Sequence, residues 1–117
     1  MKTNWLALRD LALSRCSGYC ELCGLPVSDT FALHHRLLRS RGGKDEIQNL
    51  VVLHHSCHNT GTNSVHLNVK RATETGHIVP TRQNPLLYPL TLADGSTVRL
   101  TADGTYDYLE RKAQDGW

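Results

Sequence analysis

No apolar run in this 117-residue sequence approaches membrane-spanning length, which sets aside a helical integral membrane protein. A signal-peptide pattern is missing too, because Arg9, Asp10 and Arg15 interrupt the N-terminal leucines. A cytoplasmic protein is therefore expected. There is no internal repeat and no low-complexity segment. In a reducing compartment the four cysteines read as thiols or metal ligands rather than disulfides. Charge excess is also small, at +2, but it is unevenly placed. Residues 1–93 carry ten Lys/Arg against six Asp/Glu, whereas residues 94–117 carry three against five. The basic part tilts toward a polyanion partner.

What the chain does hold is histidine, and it is concentrated. The stretch from His34 to His58 contains five of the seven histidines and one of the four cysteines. Imidazole suits metal ligation and proton transfer at neutral pH, so such density points to chemistry.

In chain order, residues 3–15 predict a helix capped by Thr3 or Asn4. Trp5, Leu6, Leu8, Ala12 and Leu13 would share one broad face packed on the core. Cys20 and Cys23 then form a C-x2-C-G turn with Gly24, the geometry of a zinc knuckle. A redox pair would want a strand before it and a helix opening at it, and neither is expected here. His54 and Cys57, again two residues apart, supply a second half. Cys20, Cys23, His54 and Cys57 would make a closed, structural tetrahedral zinc site. Cys16 is the other available thiol, read as a small buried apolar residue.

Between the two halves, Thr30 to Leu38 predicts a strand, Ser40 to Asn49 a loop on Gly42-Gly43, and Leu50 to Leu53 the returning strand. A helix from Asn63 or Ser64 to about Thr75 should follow, with Gly76 just past its end. Residues 86–92 and 97–101 predict a β-hairpin, with a third strand at 105–108 and fraying from Lys112 to Trp117. The whole reads as α+β: one domain over 1–117, made of the N-terminal helix (3–15), a core (16–82) and a hairpin extension (83–112).

Adjacent residues on a strand face opposite ways, so His34 and His35 divide naturally into one metal ligand and one general base. His58 can return toward His34, and His66 could add a third nitrogen. Arg36, Arg39, Arg41 and Lys44, with no acid before Asp45, have a phosphate-facing composition. Gly42-Gly43 would let backbone approach a duplex closely. Asn49 could pin the loop to the catalytic strand through its amide. His77, after Gly76, reads as a cation favoured by the helix C-terminus.

The ordered run Cys20-x2-Cys23-Gly24, His34-His35-Arg36, Gly42-Gly43, Asn49-Leu50, His54-x2-Cys57-His58 closely resembles the HNH nucleases of the ββα-metal fold. Ser64-Val65-His66 and Gly76 to Pro80 resemble the small HNH proteins of actinobacterial phages and their hosts. The resemblance implies a DNA endonuclease that needs a divalent cation (Mg²⁺, Mn²⁺, Ni²⁺ or Zn²⁺) and leaves 5′-phosphate and 3′-hydroxyl ends. It implies His34 and His58 as metal ligands, His35 as general base and Asn49 as the residue orienting that base. Many relatives carry a histidine where this chain has Thr62, so either His66 or water completes the metal set. Partners implied are DNA and, for a phage protein in its bacterial host, terminase or portal proteins, with the chain a monomer or weak dimer. The competing reading is a zinc-stabilised DNA-binding module without catalysis. Such a module needs the knuckle and the basic loop but neither His35 nor Asn49.

Overall fold

A computed structural model describes residues 3–112. The fraying expected beyond Lys112 lies outside the described residues. Helix α1 (Trp5–Cys16) starts where Asn4 Oδ1 accepts the Ala7 N–H at 3.1 Å. It stops where Ser17 turns left-handed and donates back to Leu13 and Ser14. Its expected apolar face is only partly used. Ala12 and Cys16 are buried, but Trp5 and Leu6 stand exposed at 41% and 72%. Leu8 and Leu13 pack against the core only partly buried, and the last turn of the helix sends in a charge.

That charge is Arg15. Its Nε and Nη2 donate to the two oxygens of Glu21 at 3.0 and 2.7 Å, and it also donates to the Ile47 and Leu50 carbonyls. Glu21 further accepts the Val52 N–H at 2.8 Å and the Tyr106 hydroxyl at 2.5 Å. Burial works against the Arg15 charge, and Glu21 more than offsets it, raising the guanidinium above its ordinary value. A pair this deep holds only while both members are present. Glu21→Ala should therefore cost about 3–5 kcal/mol, read as a lower urea midpoint. An unchanged midpoint would mean that water reaches Arg15.

Strands β1 (Ala32–His35) and β2 (Leu50–Leu53) pair antiparallel, with His34 opposite Val51 and His35 opposite Leu50. Alternation along β2 builds two cores. Val51 and Leu53 pack with Cys20, Val65, Ala72, Ile78, Leu90, Val98 and Leu100, while Val52 packs with Ala12, Cys16 and Ile47. β1 is shorter than the expected 30–38. Arg36 N–H still reaches the Asn49 carbonyl at 2.8 Å, but the Leu37 N–H is taken by the Asn49 side chain at 2.7 Å, and the ladder ends.

After β2 comes a single wide turn, Ser56–Thr60, and then irregular chain. Helix α2 (Val69–Glu74) begins later than predicted, capped by Asn68 rather than Asn63 or Ser64. Backbone bonds from Val65 N–H to Cys57 and from His66 N–H to His58 draw residues 61–67 into a loop before the helix can start. Gly76 ends α2 with φ +80°, and a Cβ there would lie 1.9 Å from the Pro89 carbonyl oxygen.

The C-terminal part forms a three-stranded antiparallel sheet of β3 (Leu90–Thr91), β4 (Thr97–Leu100) and β5 (Tyr106–Glu110). The third strand exists, shifted toward the C-terminus. The first is cut to two residues because residues 84–88 turn on Asn84. Leu90, Val98 and Leu100 share the core of Cys20, Val51 and Leu53, so the hairpin is packed into the same core as the knuckle. The predicted order of helix, knuckle, strand, loop, strand, helix is the observed one. No helix among the described residues is long and apolar enough to cross a membrane.

Candidate metal centres and the basic loop

Two clusters of potential ligands are present among the described residues. In the first, one ligand atom each from Cys20, Cys23, His54 and Cys57 lies within 4.8 Å of the others. Two loops deliver them. The knuckle is closed by Gly24 N–H to the Cys20 carbonyl at 2.9 Å, with Gly24 at φ +78°, and Cys20 N–H reaches Leu25 at 2.8 Å. His54 leaves the end of β2 and donates from Nε2 to the Pro26 carbonyl at 2.8 Å. That bond fixes the tautomer, so Nδ1 is the free nitrogen, and it is Nδ1 that faces Cys23 Sγ at 3.2 Å and Cys57 Sγ at 3.9 Å. Three sulfurs and one imidazole at such spacing suit a structural zinc ion, whose ligand bonds are about 2.0–2.3 Å long. Burial resists ionisation of Cys20, but amide donors from Cys23, His54 and Leu22 outweigh it and lower its pKa. Burial and the neighbouring Cys20 charge push Cys57 up to about 12. Cys16 stands apart, buried, its thiol toward the Leu13 carbonyl at 3.7 Å.

The second cluster joins His34, His58 and His66, again within 4.8 Å. The 57–65 and 58–66 backbone bonds explain how a histidine eight positions after His58 arrives beside it. His58 and His66 face each other through Nε2 at 3.0 Å, close to the separation of about 3.0–3.4 Å expected for two nitrogens on one ion. His34 is buried and spends its Nε2–H on the His77 carbonyl at 2.9 Å, leaving Nδ1 free. Burial, then the nearby His58, lower its pKa to about 3, so the ring is neutral, as a ligand must be. Burial likewise lowers the pKa of His58, which shares the pocket with His66.

His35 points away from this cluster. Its Nε2 bonds Asp45 Oδ1 at 2.7 Å, its ring meets the Trp5 edge at a centroid distance of 6.0 Å, and its side chain is 15% exposed. Asp45 Oδ2 accepts the Thr3 hydroxyl at 2.8 Å. These bonds, the one from His35 first, hold the Asp45 carboxyl below its ordinary range. Neither Asp45 nor Thr3 was among the sequence candidates. The signal available was Asp45 as the first acid after four basic residues in the loop.

Asn49 does pin the loop. Its amide accepts from Leu37 N–H and donates to the Leu37 and Lys44 carbonyls at 3.0 and 3.1 Å. Gly43 lies tight against the same place, where a Cβ would sit 1.7 Å from the Leu37 carbonyl oxygen. Its smallness is needed within the chain itself. Gly43→Ala should release the loop, seen as faster amide exchange across residues 36–49.

Two expectations fail. Arg36, proposed to face DNA, is wholly buried and donates to the Gly76, Gln48, Pro85 and Tyr88 carbonyls at 2.7–3.0 Å. Burial lowers its pKa to about 10, and it fastens residues 76–88 to β1. Arg39, Arg41 and Lys44 do lie exposed on the loop. His77 is no helix-end cation. It is buried between the Thr75 hydroxyl at 2.8 Å and the Glu21 carbonyl at 2.5 Å, and burial lowers its pKa.

Comparison with curated proteins and with solved structures gives no match. Residues 20–64, by contrast, match the family described as HNH endonuclease. The matched stretch holds the zinc-type cluster, His34, His35, Asn49 and His58, and stops two residues before His66. The family likeness thus runs from Cys20 to Ser64 and covers the knuckle, both strands of the excursion and the basic loop between them.

Proposed function

We propose that the protein is a divalent-metal-dependent endonuclease that hydrolyses phosphodiester bonds of duplex DNA with little sequence preference. The observation that carries the reading is the convergence of His34, His58 and His66 beside a strand whose next residue, His35, is bonded to a carboxylate. In this reading His34, His58 and His66 would hold a divalent cation, which would supply charge stabilisation for the phosphoryl group under attack. His35 takes the proton of the attacking water, working as general base. Asn49 keeps the Leu37–Lys44 loop in place. Arg39, Arg41 and Lys44 engage backbone phosphates, a contact that should weaken with salt. Cys20, Cys23, His54 and Cys57 would hold a structural zinc ion and so close the base of the excursion that carries these groups.

Nicking of a supercoiled plasmid in Mg²⁺, Mn²⁺, Ni²⁺ or EDTA tests the proposal. Metal-dependent nicking is expected. A folded, zinc-loaded protein that binds DNA but cleaves with no ion would instead be the silent binding module. Losing an outer partner of a ligand costs about 10–100-fold in metal affinity or activity, so removing a direct ligand should cost at least as much. His66→Ala should thus weaken divalent-cation binding at least about tenfold by calorimetry on zinc-loaded protein, whereas unchanged affinity would leave water as the third ligand. The likeness to small phage HNH proteins extends the proposal to terminase or portal partners, testable by co-purification. A single such triad among the described residues means that cutting both strands takes two copies or two encounters.

A further inference from the structure

We propose that Asp45 is the positioning residue for the His35 imidazole and that the N-terminal segment, through Thr3 and Trp5, locks the pair. The inference rests on the nuclease reading of His35 and names what orients it. A carboxylate only accepts, so the 2.7 Å contact requires a proton on His35 Nε2, and in the neutral ring that leaves Nδ1 as the nitrogen with a free lone pair. Both Asp45 oxygens are engaged, Oδ1 by His35 and Oδ2 by the Thr3 hydroxyl at 2.8 Å, with Arg39 Nη2 further off at 3.9 Å. The carboxylate therefore has little freedom to rotate away. Trp5 packs edge-on against the same imidazole at 77°.

Asn49 enters the same chain of contacts one step back. Its amide holds the Lys44 carbonyl, the residue before Asp45, so the loop presents the carboxylate at a set height above β1. Asn49 thus acts on His35 through Lys44 and Asp45 and not by direct contact. Thr3 and Trp5 lie outside residues 20–64, so part of the support for the base comes from beyond the matched domain. An ordinary surface ion pair would not show this arrangement. Here the pair is 15% and 17% exposed and closed on three sides by hydroxyl, indole and loop.

The test compares wild type, His35→Ala, Asp45→Ala and Thr3→Val as zinc-loaded full chains, with two readouts. In plasmid nicking, Asp45→Ala should lower kcat by about 10–100-fold with KM little changed, and Thr3→Val should lower it less. In long-range ¹H–¹⁵N spectra of histidine-labelled protein at one fixed pH, wild-type His35 should be the Nε2–H tautomer, and Asp45→Ala should give a mixture. If wild type nicks and His35→Ala does not, yet Asp45→Ala keeps full kcat and an unchanged tautomer, the positioning role is overturned while the nuclease reading stands. A loss confined to KM, or accompanied by loss of zinc, would also overturn it. If wild type never nicks, the nuclease reading falls, and the tautomer alone decides whether Asp45 sets this ring.

Discussion

His35→Ala is expected to slow plasmid nicking by about 10²–10⁴-fold, the usual worth of a positioned general base, with fold and zinc content unchanged. The separation of the two effects follows from where the side chain sits. His35 lies at the rim of β1, and its partners are one carboxylate oxygen and the edge of a half-exposed indole. Truncating it opens no core cavity and strands no buried donor, because Asp45 keeps Thr3 and gains water. Its strand neighbour makes the contrast. His34 is buried and anchored to the His77 carbonyl, so His34→Ala should harm packing and cation binding together. Comparable losses of unfolding midpoint in both variants would show that the roles of the two histidines have been confused. A His35→Ala protein that nicks at the wild-type rate would place the base elsewhere.

The clusters were legible because Cys and His are scarce residue types and their spacing carries information. Cys20, Cys23, His54 and Cys57 form two x2 pairs, and the β-branched run of Leu50 to Leu53 between the basic loop and the second pair reads as the returning strand that is observed. What failed was reading charge without periodicity. Arg36 stands two residues after His34, on the same inward face of the extended chain, so alternation already argued against a DNA contact. Its four carbonyl partners come from residues 12 to 52 positions away, and no local pattern predicts them. The start of α2 failed for a related reason. Asn63 and Ser64 are good caps, but the long-range bonds of Val65 and His66 to Cys57 and His58 override local preference and leave Asn68 as the first free cap. Those same bonds bring His66 to His58, and a spacing of eight residues could not by itself say so.

Cys57→Ala, or removal of the metal by a strong chelator, should abolish cooperative unfolding altogether. Structural zinc contributes an apparent 10–16 kcal/mol or so in small domains, whereas a whole domain is stable by only about 5–15 kcal/mol. Contacts around the knuckle say how the loss would spread. Cys20 belongs to the main core, and the next residue is Glu21, which holds Arg15, the Val52 amide, the Tyr106 hydroxyl and His77. Releasing the knuckle therefore loosens α1, β2 and the C-terminal sheet together. The raised Cys57 pKa adds a direction in pH: the thiol must lose its proton to bind, so zinc affinity should fall as pH falls. His54→Cys provides the control, since it keeps four ligands and sacrifices only the bond to Pro26, about 1 kcal/mol. The expected pattern is zinc held at the Cys20–Cys57 cluster and a sharp thermal transition for wild type and His54→Cys, and neither for Cys57→Ala. A folded Cys57→Ala protein would mean that the two packed cores around β2 suffice without the ion, and the cluster would then have to be reconsidered as a site whose metal serves something other than the fold.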